Sequence, residues 1–456
     1  MPKHLPPGPK GLPMIGILHK MWRDPLSFFQ DVTQEFGDIV SLDFGNRHAL
    51  LINDPTLIKY VLQDNNKNYK KSSTVKIVKQ VLGKGLATNE GDFWRQQRRL
   101  MAPSFHRRQI EKLGDVIVNE AMSVVDRWGK TAVSRDIHAE MMNLTLNINV
   151  KTMFGADVGN RADEIGQAWT NILHTFNARS WAMVQTPTWW PSASNRRYLR
   201  SLELLDHTVY QFINGKRQID APQDDVLSML LEAVDVDTGE RMPDQQVRDE
   251  VMTIFLAGHE TTAVLLAWTF YLLAQHPDVT QKLRDEAALV CNGRKPTTAD
   301  LSKLTYTRHV IDEVLRFYPP FWLIYRSPYE ADEIGGYDLA DNDMVFISPA
   351  LMHKHPQYWE DPDRFWPERF ATEEMVHQPR YAYIPFGGGP RQCIGNNLAI
   401  MEAQLILATL IPRFEFGFVE PVMTESAVTL RPKQGLPLSV HPIQQNVRKN
   451  MTIPLD

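Results

Sequence analysis

Only two cysteines occur among the 456 residues, Cys291 and Cys393. Cys393 stands where chemistry is possible. It ends the run Phe386-Gly387-Gly388-Gly389-Pro390-Arg391-Gln392-Cys393 and is followed by Ile394-Gly395 and a helical pattern from about Asn396. A helix N-terminus presents partial positive charge and free N–H groups, which favour a thiolate. The position therefore predicts a lowered thiol pKa. A lone thiolate suits the axial position of a haem iron, where it pushes electron density onto the metal and favours O–O cleavage. The glycines let the backbone turn tightly and approach a flat ligand. Arg391 can pair a propionate, and Gly395 leaves room beside the ring. A buried cysteine after a glycine-rich turn is the plainer alternative. Zinc is weaker, because no second cysteine is near. Cys291, in Val290-Cys291-Asn292-Gly293 beside a turn, reads as structural.

A second constellation is Ala257-Gly258-His259-Glu260-Thr261-Thr262. It interrupts a helical pattern that runs from about Asp244, a plausible N-cap with Asp249 and Glu250 near the positive end, to Gln275. His276-Pro277 ends it. At ~1.5 Å per residue such a helix spans roughly 45 Å, enough to cross a domain. Its second half is apolar on nearly every side and so is expected to be buried. An acid and hydroxyls there are costly unless partnered, and such local rule-breaking often marks function. Thr261 can donate to the carbonyl of Ala257 and bend the helix open. Ala257 and Gly258 then leave space for dioxygen, and Glu260 can relay protons from solvent. The alternative is a helix end, with Gly258 as a C-cap and a second helix starting at Glu260. His259 faces away and reads as packed or exposed, not as a ligand.

The spacing F-x-x-G-x-R-x-C-x-G, met by Phe386, Gly389, Arg391, Cys393 and Gly395, resembles the haem-binding signature of the cytochrome P450 family. The similarity extends from Pro6-Pro7-Gly8-Pro9 to the final strands. The resemblance implies haem b with Cys393 as the iron ligand, and an acid–threonine pair, Glu260 and Thr261, beside the oxygen site, bordered by Ala257 and Gly258. Glu313-Val314-Leu315-Arg316 matches the family's E-x-x-R, and Pro367-Glu368-Arg369-Phe370 its P-x-R-F. The implied triad of Glu313, Arg316 and Arg369 is structural, although on spacing alone a surface ion pair is the default. Trp94 and Arg98 match W-x-x-x-R, with Arg99 as a solvated neighbour. By resemblance Trp94 and Arg98 reach one propionate, with Arg326 and Arg391 also at the propionates. His353-Lys354 departs from the usual His-Arg and reads as structural.

The resemblance further implies a fold that is mainly α with a smaller β-rich part. Asp38–Phe44 alternates and is followed by Ala49–Ile52 after a turn, which predicts a hairpin. The expected β-rich part is roughly 36–55, 323–350 and the C-terminal strands, including an alternating run at Ala427–Leu430. The helical part is roughly 56–322 and 396–411, within one domain over 1–456. Ala87, Ala257, Phe321, Trp322 and Leu323 are expected to line a substrate pocket, with Trp181 to Trp190 as part of its roof. The implied reaction is hydroxylation or epoxidation, with O2 as co-substrate, of an apolar molecule such as a fatty acid, terpenoid or carotenoid. Tyr318-Pro319-Pro320 and Leu430-Arg431-Pro432 show some local similarity to bacterial carotenoid hydroxylases. Electrons are expected from a separate ferredoxin or flavodoxin-like partner with its reductase. Arg95, Arg99, Arg107, Arg108 and Lys112 form a candidate docking face for it. They are equally well a solvated charged surface. A peroxide-driven or isomerising haem-thiolate enzyme and a non-enzymatic haem sensor are the competing readings. The acid–threonine pair argues against both.

The net charge of −5 gives no case for nucleic acid. Two cysteines in so long a chain argue against a disulfide framework and suit a reducing compartment, so a cytoplasmic location is expected. The longest apolar run, Ala263 to Ala274, is shorter than the ~20 residues a bilayer span needs, so no transmembrane segment is expected. The N-terminus lacks a signal-peptide pattern.

Overall fold

In the computed structural model, residues 4–443 are described apart from 22–23, 46, 72–74, 156–160, 181–186, 219–224, 236 and 342. The helix Asp244–Gln275 runs for 32 residues. From His259 to Leu273 nearly every side chain is buried, as its all-round apolar sequence requires. Its N-cap position is Pro243, not Asp244. Asp244 is instead the first helical residue, where its carboxylate still faces the helix's positive end and pairs with Arg217. By length and composition this helix could cross a membrane, but it is the core helix here, mostly buried inside the protein. It packs most extensively on the helix Ile137–Phe154. The helix Asn396–Leu410, which follows the cysteine loop, is buried from Ile400 onward.

The expected hairpin forms, with Ile39–Asp43 antiparallel to His48–Ile52. It belongs to a five-stranded sheet in the order 39–43, 48–52, 344–347, 324–328, 69–70. The sheet thus joins the N-terminal hairpin to late strands through the parallel pair of 49–52 with 344–347. Two strands fall inside the stretch expected to be helical. Tyr69–Lys70 completes this sheet against Ser327 and Pro328. Val133–Asp136 pairs with the C-terminal strand Pro437–Pro442. Both are too short for a period-two pattern to show. The run expected to alternate at 427–430 is mostly a turn: Thr424–Ser426 and Leu430–Pro432 are the strands, and 427–429 links them.

One apolar cluster extends from Val81 to Val440 around the two long helices, and two smaller clusters lie on the faces of the five-stranded sheet. The helix–sheet boundary holds the site.

Candidate active site

The cysteine loop is built by backbone constraints. The Cys393 amide donates to the Phe386 carbonyl at 3.0 Å, closing the loop on itself. Gly387 and Gly389 have φ of 70° and 65°, a region that favours glycine. A side chain on Gly389 would also run into the Leu62 carbonyl. The close approach at Gly389 is therefore to the protein's own backbone. Gly395 is different, because a Cβ there would meet only the edge of the Phe105 ring, at 4.0 Å. Phe386 is half-buried against the main core.

Cys393 is exposed, yet it lies deep enough for burial to push its thiol above the ordinary value. The Gly395 amide and the Arg98 guanidinium pull it the other way, but burial prevails. The lowering expected from the helix N-terminus is thus outweighed by burial. The helix N-terminus is present, but its pull is the smaller effect against desolvation of the charged form.

Cations gather around this loop. Arg391 is taken up by Glu90, donates to the Asn89 carbonyl at 3.3 Å and lies 4.5 Å over the Trp94 ring. Arg326 is desolvated enough to bring its pKa down to about 10, and it donates to its neighbour Tyr325's carbonyl at 2.8 Å. Lys71 is pushed down to about 7 by burial and by Arg391. It donates to the carbonyls of Leu86 and Asn89 at 3.1 and 3.2 Å. Arg98, half-buried, has no hydrogen-bond or carboxylate partner among the described residues. Lys71 is the member that spacing did not reveal.

On the long helix, Thr261 Oγ1 donates to the Ala257 carbonyl at 2.8 Å, as expected. Ala257 is exposed although the helix around it is buried, so it faces an interior space. Gly258 does not. A side chain there would meet the Asn149 amide, so this glycine makes room for the neighbouring helix and not for dioxygen. His259 is fully buried, 3.0 Å from the Phe255 carbonyl through Nδ1, and packs against Trp169. Glu260 is buried, accepts from Thr429 Oγ1 at 2.8 Å, and is pushed up by burial against the pull of Thr429 and Arg431.

A cavity of about 380 Å³ is lined by Ala87, Ala257, Glu260, Thr261 and the run Phe321-Trp322-Leu323, most of its wall being apolar. Ala87, Ala257, Phe321, Trp322 and Leu323, each expected to line the pocket, all do so. Tyr325 and Thr429 also line it and were not foreseen. Tyr325 carries no local signal, and Thr429 sits in a turn that reads as strand. Residues 181–186 of the expected roof lie outside the described residues, while Trp189 and Trp190 are exposed and do not line the cavity.

Behind the loop, Glu313 accepts two bonds from Arg316 at 2.8 and 2.9 Å and one from Arg369 at 3.1 Å. All three are buried, Glu313 and Arg316 completely. His353, also buried, accepts the Ile384 amide at 2.8 Å, so the triad's surroundings hold the chain as it enters the cysteine loop.

The family profile of cytochrome P450 matches residues 6–438. The chain belongs to the cytochrome P450 family. It is 34% identical to cyclooctatin synthase of Streptomyces melanosporofaciens, over 96% of this chain and 94% of that protein. It is 33% identical to cyclooctat-9-en-7-ol 5-monooxygenase of the same organism, over 89% of this chain and 88% of that one. The fold matches a retinoic acid-bound cyanobacterial CYP120A1 with a TM-score of 0.86 at 22% identity, covering 97% of this chain and all of that one. The protein is a cytochrome P450 monooxygenase of this fold.

The family uses a haem-thiolate group and dioxygen, and the residues present fit such a group. An accessible thiol stands beside a Gly395 whose side-chain direction is open. Arg98 lies near the thiol, and Arg326 and Lys71 gather with Arg391 about the carboxylate of Glu90, with Glu250 also near Lys71. Burying that many cations requires anions, and a porphyrin's two propionates supply them.

Proposed function

We propose that Cys393 ligates a haem b iron and that the protein hydroxylates or epoxidises an apolar substrate, with electrons from a separate ferredoxin or flavodoxin-like donor. The observation that carries the reading is the shared cavity: Ala257 and Thr261 face the same space as Ala87, Phe321, Trp322 and Leu323. When bound, the haem supplies the reductive activation of dioxygen and the insertion of one oxygen atom. The chain supplies the rest.

Arg98 and Arg326 hold the propionates, joined by Trp94 and by Arg391 when it gives up Glu90. Thr261, whose hydroxyl is parked on the Ala257 carbonyl, turns to donate to an oxygen in the cavity. Burial raises the Glu260 carboxyl above the usual carboxylate range, which favours its role as a proton donor across the helix face. The apolar wall excludes water, which keeps protons arriving through Glu260 and Thr261 and not at random.

Substrate class follows from the wall. It offers aliphatic and aromatic contact with few polar groups, and the pocket extends toward Leu18 and Phe44. A hydrocarbon skeleton of terpenoid, carotenoid or fatty-acid type fits. A relative named for cyclooctat-9-en-7-ol, by that name an unsaturated alcohol, supports the same class. The docking face is narrower than five cations. Arg99 pairs with Asp235 and Asp237, Arg95 with Asp92, and Arg107 with Glu111. Arg108 is exposed, and Lys112, also exposed, has an interaction partner of its own.

The test is turnover under isotopically labelled dioxygen with a surrogate ferredoxin and reductase and a panel of terpenes and fatty acids. One labelled atom per product is expected. Product formed with peroxide alone, and none with the electron donor, would favour the peroxide-driven reading.

A further inference from the structure

The long helix carries the acid of the site, but the acid's partner comes from elsewhere in the chain. Glu260 Oε1 accepts from the Thr429 hydroxyl across 169 positions of sequence. Among the described residues its carboxyl makes no other hydrogen bond. Glu260 is 4% exposed and Thr429 1%, so the bond is shielded from water and is not exchanged freely with it.

Thr429 belongs to the turn between Thr424–Ser426 and Leu430–Pro432. That turn is pinned on three sides. Trp322 Nε1 donates to the Ala427 carbonyl at 2.8 Å, Trp268 Nε1 donates to the Leu430 carbonyl at 2.8 Å, and the Leu430 amide donates to the Pro320 carbonyl at 2.9 Å. The hydroxyl is therefore presented from a fixed frame. The same turn forms cavity wall, because Ala427, Val428 and Thr429 line the space that Ala257 and Thr261 border. A substrate resting against Val428 touches the residue next to the one that holds the acid.

We propose that Thr429 is a positioning residue for proton delivery: its hydroxyl orients the Glu260 carboxyl and sets how readily that group releases its proton, from a wall that the substrate contacts. The inference rests on the reading of Glu260 as the proton donor. The chemistry is directional. A hydroxyl that donates to a carboxylate stabilises the ionised form. Thr429 therefore opposes the burial that pushes Glu260 up. Without it the acid is harder to ionise and free to rotate away from Thr261. The charged group facing Glu260 from the adjoining strand is Arg431, itself paired with Glu425 at 2.9 Å. His259, next along the helix, is turned to the Phe255 carbonyl on the other side.

The experiment compares the haem-loaded wild type with Thr429→Val, Thr429→Ala, Thr429→Ser and Glu260→Gln. The first readout is independent of turnover: the infrared carbonyl stretch of the protonated Glu260 carboxyl, identified by its loss in Glu260→Gln and followed against pH. In Thr429→Val and Thr429→Ala the stretch should move to higher frequency. Its disappearance on titration should move up by about half to one pH unit, the three- to tenfold change that one hydrogen bond makes in proton affinity. Thr429→Ser should restore both. The second readout is coupling, the product formed per reducing equivalent with a terpene substrate. It should fall severalfold in Thr429→Val, with the electrons appearing as hydrogen peroxide, while the spectral binding constant for substrate stays within twofold. A wild-type stretch and titration in both Thr429→Val and Thr429→Ala would overturn the proposal. So would a loss confined to substrate affinity. If Glu260→Gln itself leaves coupling untouched, the reading of Glu260 fails. If Glu260→Gln uncouples and the Thr429 variants do not, only the role of Thr429 fails. Thr429→Ala, which removes bulk and adds none, keeps the test open should Thr429→Val not fold.

Discussion

Replacing Glu313 with Gln removes the one negative charge between two buried guanidiniums. Arg316 would keep its bonds to the carbonyls of His353, Pro362 and Arg364, at 3.0, 2.8 and 3.2 Å. Arg369 would keep those to Glu360, Asp361 and Arg364, at 2.7, 3.3 and 3.1 Å. The hydrogen-bond loss is therefore partial and the charge loss complete. Breaking a buried ion pair from one side costs about 3–5 kcal/mol, because the remaining charge is left uncompensated. At ~2.1 cal/mol/K per residue, unfolding a chain of 456 residues carries about 1 kcal/mol/K of entropy. Glu313→Gln should thus lower Tm by about 3–5 °C. The damage should also reach the site. Tyr383 donates to the Asp312 carbonyl at 2.9 Å and the Ile384 amide to His353 at 2.8 Å, just ahead of the cysteine loop. Haem content per chain should therefore fall with Tm. Circular dichroism melts and haem quantitation on the same preparation decide it. A Tm within 1 °C of wild type, or a fall in Tm with full haem content, would refute the account of the triad as the brace behind the loop.

Arg98→Leu removes a cation that has no carboxylate or hydrogen-bond partner among the described residues. The polypeptide should fold normally, but haem should transfer to apomyoglobin several times faster than from wild type; an unchanged transfer rate would exclude Arg98 from the propionates. Gly389→Ala forces a Cβ onto a residue at φ 65° and into the Leu62 carbonyl, so it should destabilise the loop by more than the ~1 kcal/mol of an ordinary glycine change. Gly395→Ala should leave the melt of the haem-free chain near wild type, because its side chain enters open space. Glu402 is buried, its Oε1 has no hydrogen-bond partner among the described residues, and burial pushes its carboxyl from 4.5 to about 8. The folded chain then holds a proton that the unfolded chain has released, so stability should fall as pH rises from the ordinary carboxylate range to about 8 and level off above it. Glu402→Leu should flatten that slope in denaturant titrations across the interval, raising stability at the alkaline end and changing it little at the acid end.

The parts of the site that sequence made legible are those in which one short segment carries both the residue and its reason. The cysteine loop, the Glu313–Arg316 pair and the Thr261 bond to Ala257 all lie within a few positions of each other, and helical periodicity or a run of glycines announces them. What stayed hidden depends on packing between distant segments. Thr429 reaches Glu260 from a turn whose residues alternate like a strand. Gly258 looked like space for dioxygen, whereas its missing side chain accommodates Asn149 from another helix. Tyr69–Lys70 and Val133–Asp136 became strands because partners in the sheets accepted them, not because of any pattern of their own. The Cys393 thiol shows the same limit in energy: the helix N-terminus is a local feature, but the burial that outweighs it is a property of the assembled fold.

The central claim is that Cys393 is the thiolate ligand of a haem iron. It is tested most directly by the absorption spectrum of the purified protein, reduced with dithionite and exposed to carbon monoxide, beside Cys393→Ala. The account predicts a strongly red-shifted Soret band in the wild type that is lost in the variant. An unshifted Soret band in the wild type, or the same red-shifted band in Cys393→Ala, would contradict it.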